Sequence, residues 1–147
     1  MRTGVCYFPE HWPSEEWERD VAAMADAGLE YVRMAEFSWG VLEPERGEFD
    51  FGWLDEAIEL VGDHGMEAVL CTPTATPPKW LVDERPSIRQ EGPDGTLRQH
   101  GSRRPHWFNS GAYPAETARV VVRGTDRYAR SPHVAGWPTD NGVGGPR

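Results

Sequence analysis

Short apolar runs alternate along the chain with longer stretches whose apolar residues recur at helical spacing. Val5 to Phe8 is a short apolar run stopped by Pro9 and reads as a first strand. Trp17, Val21, Met24 and Ala25 then recur with a period near 3.6. Ser14 is placed as the N-cap of that helix, Glu15 and Glu16 favour the positive end of its dipole, and Gly28 stands where it should end. Leu29 to Met34 reads as a second strand. The turn formers Glu43-Pro44-Glu45-Arg46-Gly47 form a loop, and Phe49, Asp50, Phe51 and Trp53 lead into a second helix. Its stripe is Leu54, Ala57, Ile58 and Val61, closed by Gly62 and Gly65. Glu67 to Cys71 reads as a third strand. Its continuous Ala-Val-Leu centre suits a strand covered on both faces.

The next stretch, Thr72 to Arg104, breaks the rhythm. It carries Pro73, Pro77, Pro78, Pro86 and Pro93, with room for a turn or two of helix over Lys79 to Glu84. Loops of this length inside a domain are functional or disordered as a rule. Tyr113 to Arg130 follows as a third helix, with Ala115, Ala118, Val122 and Ala129 among its apolar positions. His133 to Trp137 closes the series as a fourth strand. Strand and helix in strict alternation predict a parallel α/β architecture. No Gly-x-Gly-x-x-Gly follows the first strand, which counts against a dinucleotide fold. The 147 residues fall short of the about 250 of a complete (β/α)₈ barrel. The expected fold is therefore an incomplete TIM barrel, roughly its first four strands and three helices. In such a barrel the chemistry sits on loops after strand C-terminal ends. Those loops are Pro9 to Pro13, Ala35 to Trp39, Thr72 to Pro78 and Thr139 to Gly142.

Composition narrows the function. A net charge of -9 argues against nucleic acid as a partner, because phosphate binding needs clustered Lys and Arg. Lys79 is the only lysine. Such an acidic, lysine-poor surface fits a high-salt cytoplasm or a GC-rich genome. Seven tryptophans argue against a disordered chain. Cys6 and Cys71 both lie in apolar runs and read as reduced core residues, neither with a second Cys or His at metal-ligand spacing. No apolar run reaches the ~20 residues of a membrane helix, and the N-terminus has no signal-peptide core, so a cytoplasmic protein without membrane contact is expected.

The four strand-end segments read Cys-Tyr-Phe-Pro-Glu-His-Trp-Pro from Cys6, Val-Arg-Met-Ala-Glu-Phe-Ser-Trp from Val32, Thr-Pro-Thr-Ala-Thr-Pro-Pro-Lys-Trp-Leu from Thr72, and Gly-Trp-Pro-Thr-Asp-Asn from Gly136. In this order and spacing the chain resembles the start of the glycoside hydrolase family 42 β-galactosidases. The link Leu-Glu-Pro-Glu-Arg-Gly-Glu-Phe-Asp-Phe-Gly-Trp-Leu-Asp from Leu42 fits as well. The resemblance runs from Gly4 to Asn141. It implies retaining hydrolysis of β-galactosides, which needs two carboxyl groups ~5–5.5 Å apart. The resemblance places the acid/base Glu directly after Asn141 and the nucleophile on a later strand, beyond this chain. Here Gly142 takes the acid's place and cannot donate a proton.

Several expectations follow. The chain lacks both catalytic carboxylates and is inactive by itself. Residues 1–141 are the family-like part and 142–147 an unrelated glycine-rich tail. If the parent gene encodes Asn-Glu-Trp-Gly, one guanine inserted before the Glu codon would produce Gly142-Val143-Gly144. Asp140 should point to the opposite strand face and is no substitute acid. The resemblance places Arg103 and Asn141 on substrate hydroxyls. Arg33 and Glu36 stand either as an internal ion pair or as sugar contacts, and Glu10 and His11 as loop-shaping groups. Trp107 stands where some members carry a zinc-ligand cysteine, so no structural zinc and no cofactor are expected. The alternative reading is a non-catalytic sugar-binding remnant. In either case the fourth strand leaves an open sheet edge through which copies can associate.

Overall fold

The structure, a computed structural model, describes residues 2–101, 106 and 110–138. They fall into two compact units. The first is made of Met1–Glu36, Phe51–Thr72 and Tyr128–Arg147. It holds four parallel strands, β1 (Gly4–Cys6), β2 (Tyr31–Met34), β3 (Glu67–Leu70) and β4 (Val134–Gly136), in the order β1-β2-β3-β4. Helix α1 (Ser14–Asp26) links β1 to β2, and α3 (Gly52–Asp63) precedes β3. The parallel α/β architecture read from the sequence is thus present as four strands of an unclosed barrel.

The register shows how the two strand faces differ. Val32 pairs with Ala68 and Met34 with Leu70, and all four are buried. Tyr31, Arg33, Glu67 and Val69 alternate with them and are only half-buried. The buried face lies under the helices: Met34 lines one narrow gap with Trp17, Val21, Ala57 and Val61. This alternation departs from the continuous burial that the Ala-Val-Leu run implied. Val69 belongs to the opposite, half-buried face.

Other boundaries shift for identifiable reasons. β1 ends at Cys6, because Pro9 opens a 3₁₀ turn over Pro9–His11. Trp17 Nε1 fixes that turn by donating to the carbonyl oxygens of Pro9 (3.0 Å) and Trp12 (3.2 Å). Pro13, not Ser14, caps α1, and no side-chain cap is made. The extended backbone of Pro13 already presents its carbonyl to Glu16 N at 3.0 Å. Cys6 is exposed rather than in the core, as is all of β1, whereas Cys71 is buried. Gly62 does not close α3. It sits inside the helix, where a Cβ would come within 2.2 Å of His133 Nδ1. Gly65, at φ +74°, ends the segment instead.

The second unit is Phe37–Asp50 with Pro73–Arg127. It contains α2 (Trp39–Leu42), α4 (Lys79–Glu84) and nearly all of α5 (Tyr113–Tyr128). The stretch read as irregular also has 3₁₀ turns at Pro73–Ala75 and Pro86–Ile88 and an antiparallel bridge between Glu91 and Leu97. Trp39, Leu81, Val82, Ile88, Tyr113 and Val120 form its core. The buried side of α5 therefore carries Tyr113 and Val120, while Val122 is 53% exposed, contrary to the stripe drawn through Val122.

Gly62→Ala tests the first unit. Its methyl group would meet three atoms of the His133 ring within 2.6 Å. We expect a loss of about 1–3 kcal/mol, the usual range for overpacking, read as a lower melting temperature. Equal melting of Gly62→Ala and the parent chain would contradict the packing described.

Candidate functional site

In the first unit the C-terminal end of β2 carries a constrained cluster. Arg33 lies on the half-buried strand face. Its Nη2 meets Glu36 Oε2 at 3.0 Å, and its Nε donates to Cys71 Sγ at 2.8 Å. Glu36 is buried at 4% exposure. Between the two charges, Ala35 has φ +68°, the one non-glycine in the left-handed region among the described residues. That conformation costs about 1–2 kcal/mol for an L-residue and persists where surrounding contacts enforce it. Here it ends β2 abruptly and accompanies the return of Glu36 to Arg33. Of the two roles open for this pair, the internal ion pair is therefore formed.

The electrostatics of the cluster disfavour a thiolate nucleophile. Burial pushes the Cys71 thiol above its ordinary value of 9.0, and the hydrogen bond from Arg33 only partly opposes this. The thiol keeps its proton at neutral pH. Tyr7, at the end of β1, is pushed up to about 12, first by burial and then by Asp20, whose carboxylate accepts from its hydroxyl at 3.3 Å. His11 stacks on Phe8 with ring centroids 5.6 Å apart, as befits a loop-shaping residue.

The second unit is organised around Glu43, which is fully buried. Trp39 Nε1 donates to its Oε2 at 2.9 Å and Gly47 N to its Oε1 at 2.7 Å. Arg119 Nη1 meets Oε1 at 2.5 Å and Nη2 donates to Oε2 at 2.9 Å. Trp80 Nε1 donates to the Glu43 carbonyl oxygen at 2.9 Å. The Glu43 carboxylate accordingly holds the Arg119 guanidinium above its ordinary value. Arg46 bridges Glu84 and Glu116 and lies over the Trp80 ring at 4.8 Å. Burial pushes the Glu116 carboxyl up, but its hydrogen bonds from Arg46 and Arg119 outweigh this and leave it below the ordinary 4.5. A cleft of about 360 Å³ in this unit is walled by Phe37, Val41, Pro44, Pro77 and Trp80, with Lys79 at its edge.

Sequence reasoning found Arg33 and Glu36 but missed Glu43. The segment from Glu43 to Gly47 reads as turn formers, and the partner, Arg119, lies 76 positions away. The spacing of Trp39 and Glu43, four residues apart across one helical turn, is the only local signal. Arg103, Asn141, Gly142 and Trp107 lie outside the described residues. Among those described, no group of three or more His, Cys, Asp or Glu is arranged to hold a metal ion. No helix among them is long and apolar enough to cross a membrane.

Four parallel strands alternating with helices, with a fixed Arg–Glu pair at a strand end, have the layout of part of a (β/α)₈ barrel. The family comparison is decisive on this point. The family model described as β-galactosidase, glycoside hydrolase family 42, matches residues 6–147, and the chain belongs to that family. It is 85% identical over 144 residues to the β-galactosidase Bga of Halorubrum lacusprofundi, covering 98% of this chain and 21% of that protein. It is 50% identical over 141 residues to a β-galactosidase of Thermus thermophilus, covering 96% and 22%. The solved structure of the polyextremophilic β-galactosidase from Halorubrum lacusprofundi superposes with a TM-score of 0.93 over 98% of this chain and 22% of that one. The chain thus spans about a fifth of the length of the relatives it matches.

Glu43 supplies a direct test. Arg119→Met strands a buried carboxylate. It should cost about 3 kcal/mol, the low end for breaking a buried pair, because Arg119 keeps 31% of its side chain exposed. Adding Glu43→Gln removes the stranded charge and should return about 1 kcal/mol or more. A single variant within about 0.5 kcal/mol of the parent, the range of ordinary surface changes, would contradict the arrangement.

Proposed function

We propose that this chain supplies the first part of the catalytic barrel of a β-galactosidase that cleaves terminal β-D-galactosides with retention, and that by itself it turns over no substrate. One observation carries the reading: the family match spans nearly the whole chain, while the chain spans 21% of a relative 85% identical to it. In the intact enzyme one carboxylate attacks the anomeric carbon. A second carboxyl group protonates the leaving oxygen and later takes a proton from water. Family resemblance gives the second role to a Glu following Asn141, where this sequence has Gly142. The nucleophile belongs to a later strand. Arg103 and Asn141 are the proposed contacts to sugar hydroxyls, and the substrate is a β-galactoside.

We divide the chain at 141/142 because Gly142 stands where the family resemblance calls for Glu and the residues after it depart from the family pattern, although the family match itself runs on to residue 147. The Arg33–Glu36 pair is assigned the task of shaping the strand-end surface rather than performing proton transfer. Its guanidinium is committed to Glu36 and Cys71. Cytoplasmic residence is part of the same proposal.

The test is release of chromophore from a nitrophenyl galactoside by the purified chain, with the full-length Halorubrum lacusprofundi relative as positive control. The expected outcome is no protein-dependent release by the chain. Robust turnover would overturn the inactivity. Galactose-dependent chemical-shift changes without turnover would favour the sugar-binding remnant.

A further inference from the structure

Helix α2 is one turn long. It buries Trp39 and Leu42 but leaves Val41 46% exposed. Val41 is one wall of the cleft of about 360 Å³ in the second unit, and Phe37, Pro44, Pro77 and Trp80 are its other apolar walls. A single exposed valine is ordinary on a protein surface. A valine facing a cleft with two aromatic walls is a different matter, because concave apolar sites of about 300–1,000 Å³ are the usual places where small molecules bind.

The walls are fixed by contacts of their own. Thr76 Oγ1 donates to Phe37 O at 2.9 Å and ties two segments of the lining together. Trp80 Nε1 donates to Glu43 O at 2.9 Å, and Arg46 lies over the Trp80 ring at 4.8 Å. The same contacts decide what the cleft can hold. A sugar ring buried there would need a partner for each hydroxyl. The Thr76 hydroxyl and the Trp80 indole already donate elsewhere. Lys79 Nζ donates to both carboxylate oxygens of Asp83, at 2.7 and 2.6 Å, which balances its charge. His100 is the remaining polar side chain of the lining, and it is exposed. The cleft therefore suits an uncharged apolar group without hydroxyls. Phe37 and Trp80 favour an aromatic one, because ring pairs gain energy beyond the area they bury.

The place of the lining in the sequence says which molecule carries that group. Phe37 belongs to the loop that follows β2, and Thr76, Pro77 and Pro78 to the loop that follows β3. Loops after strand C-terminal ends are those that meet substrate in a (β/α)₈ barrel. Gly101, also in the lining, stands two positions before Arg103, the proposed sugar contact, and two residues of chain span at most about 7 Å. We propose that this cleft receives the aglycone of a β-galactoside, an uncharged aryl group. It selects the leaving group by apolar contact, whereas the galactose is selected through its hydroxyls. The inference rests on the β-galactosidase reading given above.

The experiment titrates phenyl β-D-galactoside and methyl β-D-galactoside into the chain and follows the Val41 methyl and Trp80 indole N–H signals by NMR. The phenyl galactoside should shift both signals and bind about tenfold more tightly than the methyl galactoside. Val41→Asp should bring the two affinities to within about twofold of each other, whereas Val41→Leu should keep the phenyl preference. Melting of each free variant checks its fold. Unshifted Val41 and Trp80 signals, equal affinity of the parent chain for the two galactosides, or a phenyl preference that survives Val41→Asp would overturn the assignment. Phenyl β-D-glucoside separates the two levels of the reading. Binding at the cleft as tight as that of phenyl β-D-galactoside supports an aryl site there while counting against galactose as the sugar.

Discussion

A parallel strand is stable when helices cover its face and neighbours occupy its edges, and the rest of this protein follows from how unevenly that requirement is met. β2 and β3 satisfy it. They have strands on both sides, and α1 and α3 cover Val32, Met34, Ala68 and Leu70. β1 satisfies it on one edge only. The side chains that face the barrel interior in a closed (β/α)₈ fold, Arg33 and Val69 among them, remain half-buried. In the first unit, hydrophobic stabilisation is thus concentrated on one side of the sheet. On the other face, Arg33 Nη2 pairs with the buried carboxylate of Glu36.

The second unit meets a different problem, because among its described residues no sheet organises the helices. A single buried carboxylate does that work. Glu43 collects donors from α2, from the Gly47 backbone and from Arg119 of α5, while its carbonyl takes the Trp80 indole of α4. A buried charge is costly unless each lone pair is satisfied, and this dependence ties one conformation of the loop to the helices around it. The polar network here supplies the definition that regular hydrogen-bonded layers supply in the first unit.

The elements legible in the sequence were those written by local chemistry. Strand-length apolar runs, the Leu54-Ala57-Ile58-Val61 stripe and Gly28 and Gly65 marked the alternating strands and helices to within a few residues. The ordered strand-end motifs indicated the family, and the family match agrees. What escaped depended on distant partners. Gly62 looks like a helix stop, yet it is retained inside α3 because His133, 71 positions on, occupies the space a methyl group would need. Glu43 looks like a turn residue because Arg119 is remote. Cys6 looks like core because an apolar run says nothing about whether its strand has a covered face. The proposed sugar contacts Arg103 and Asn141 rest on resemblance alone.

The uneven coverage of the sheet is the central claim, and residue-resolved amide hydrogen exchange tests it most directly. The amides of Tyr7, Ala68 and Cys71, bonded to Arg33 O, His133 O and Met34 O, should be protected. Those of Gly4 and Cys6 alternate along β1 with the odd-numbered residues bonded to β2, face away from it, and should exchange at rates close to an open chain. Protection of Gly4 and Cys6 equal to that of Tyr7 would show that the β1 edge is already occupied, and would contradict the account.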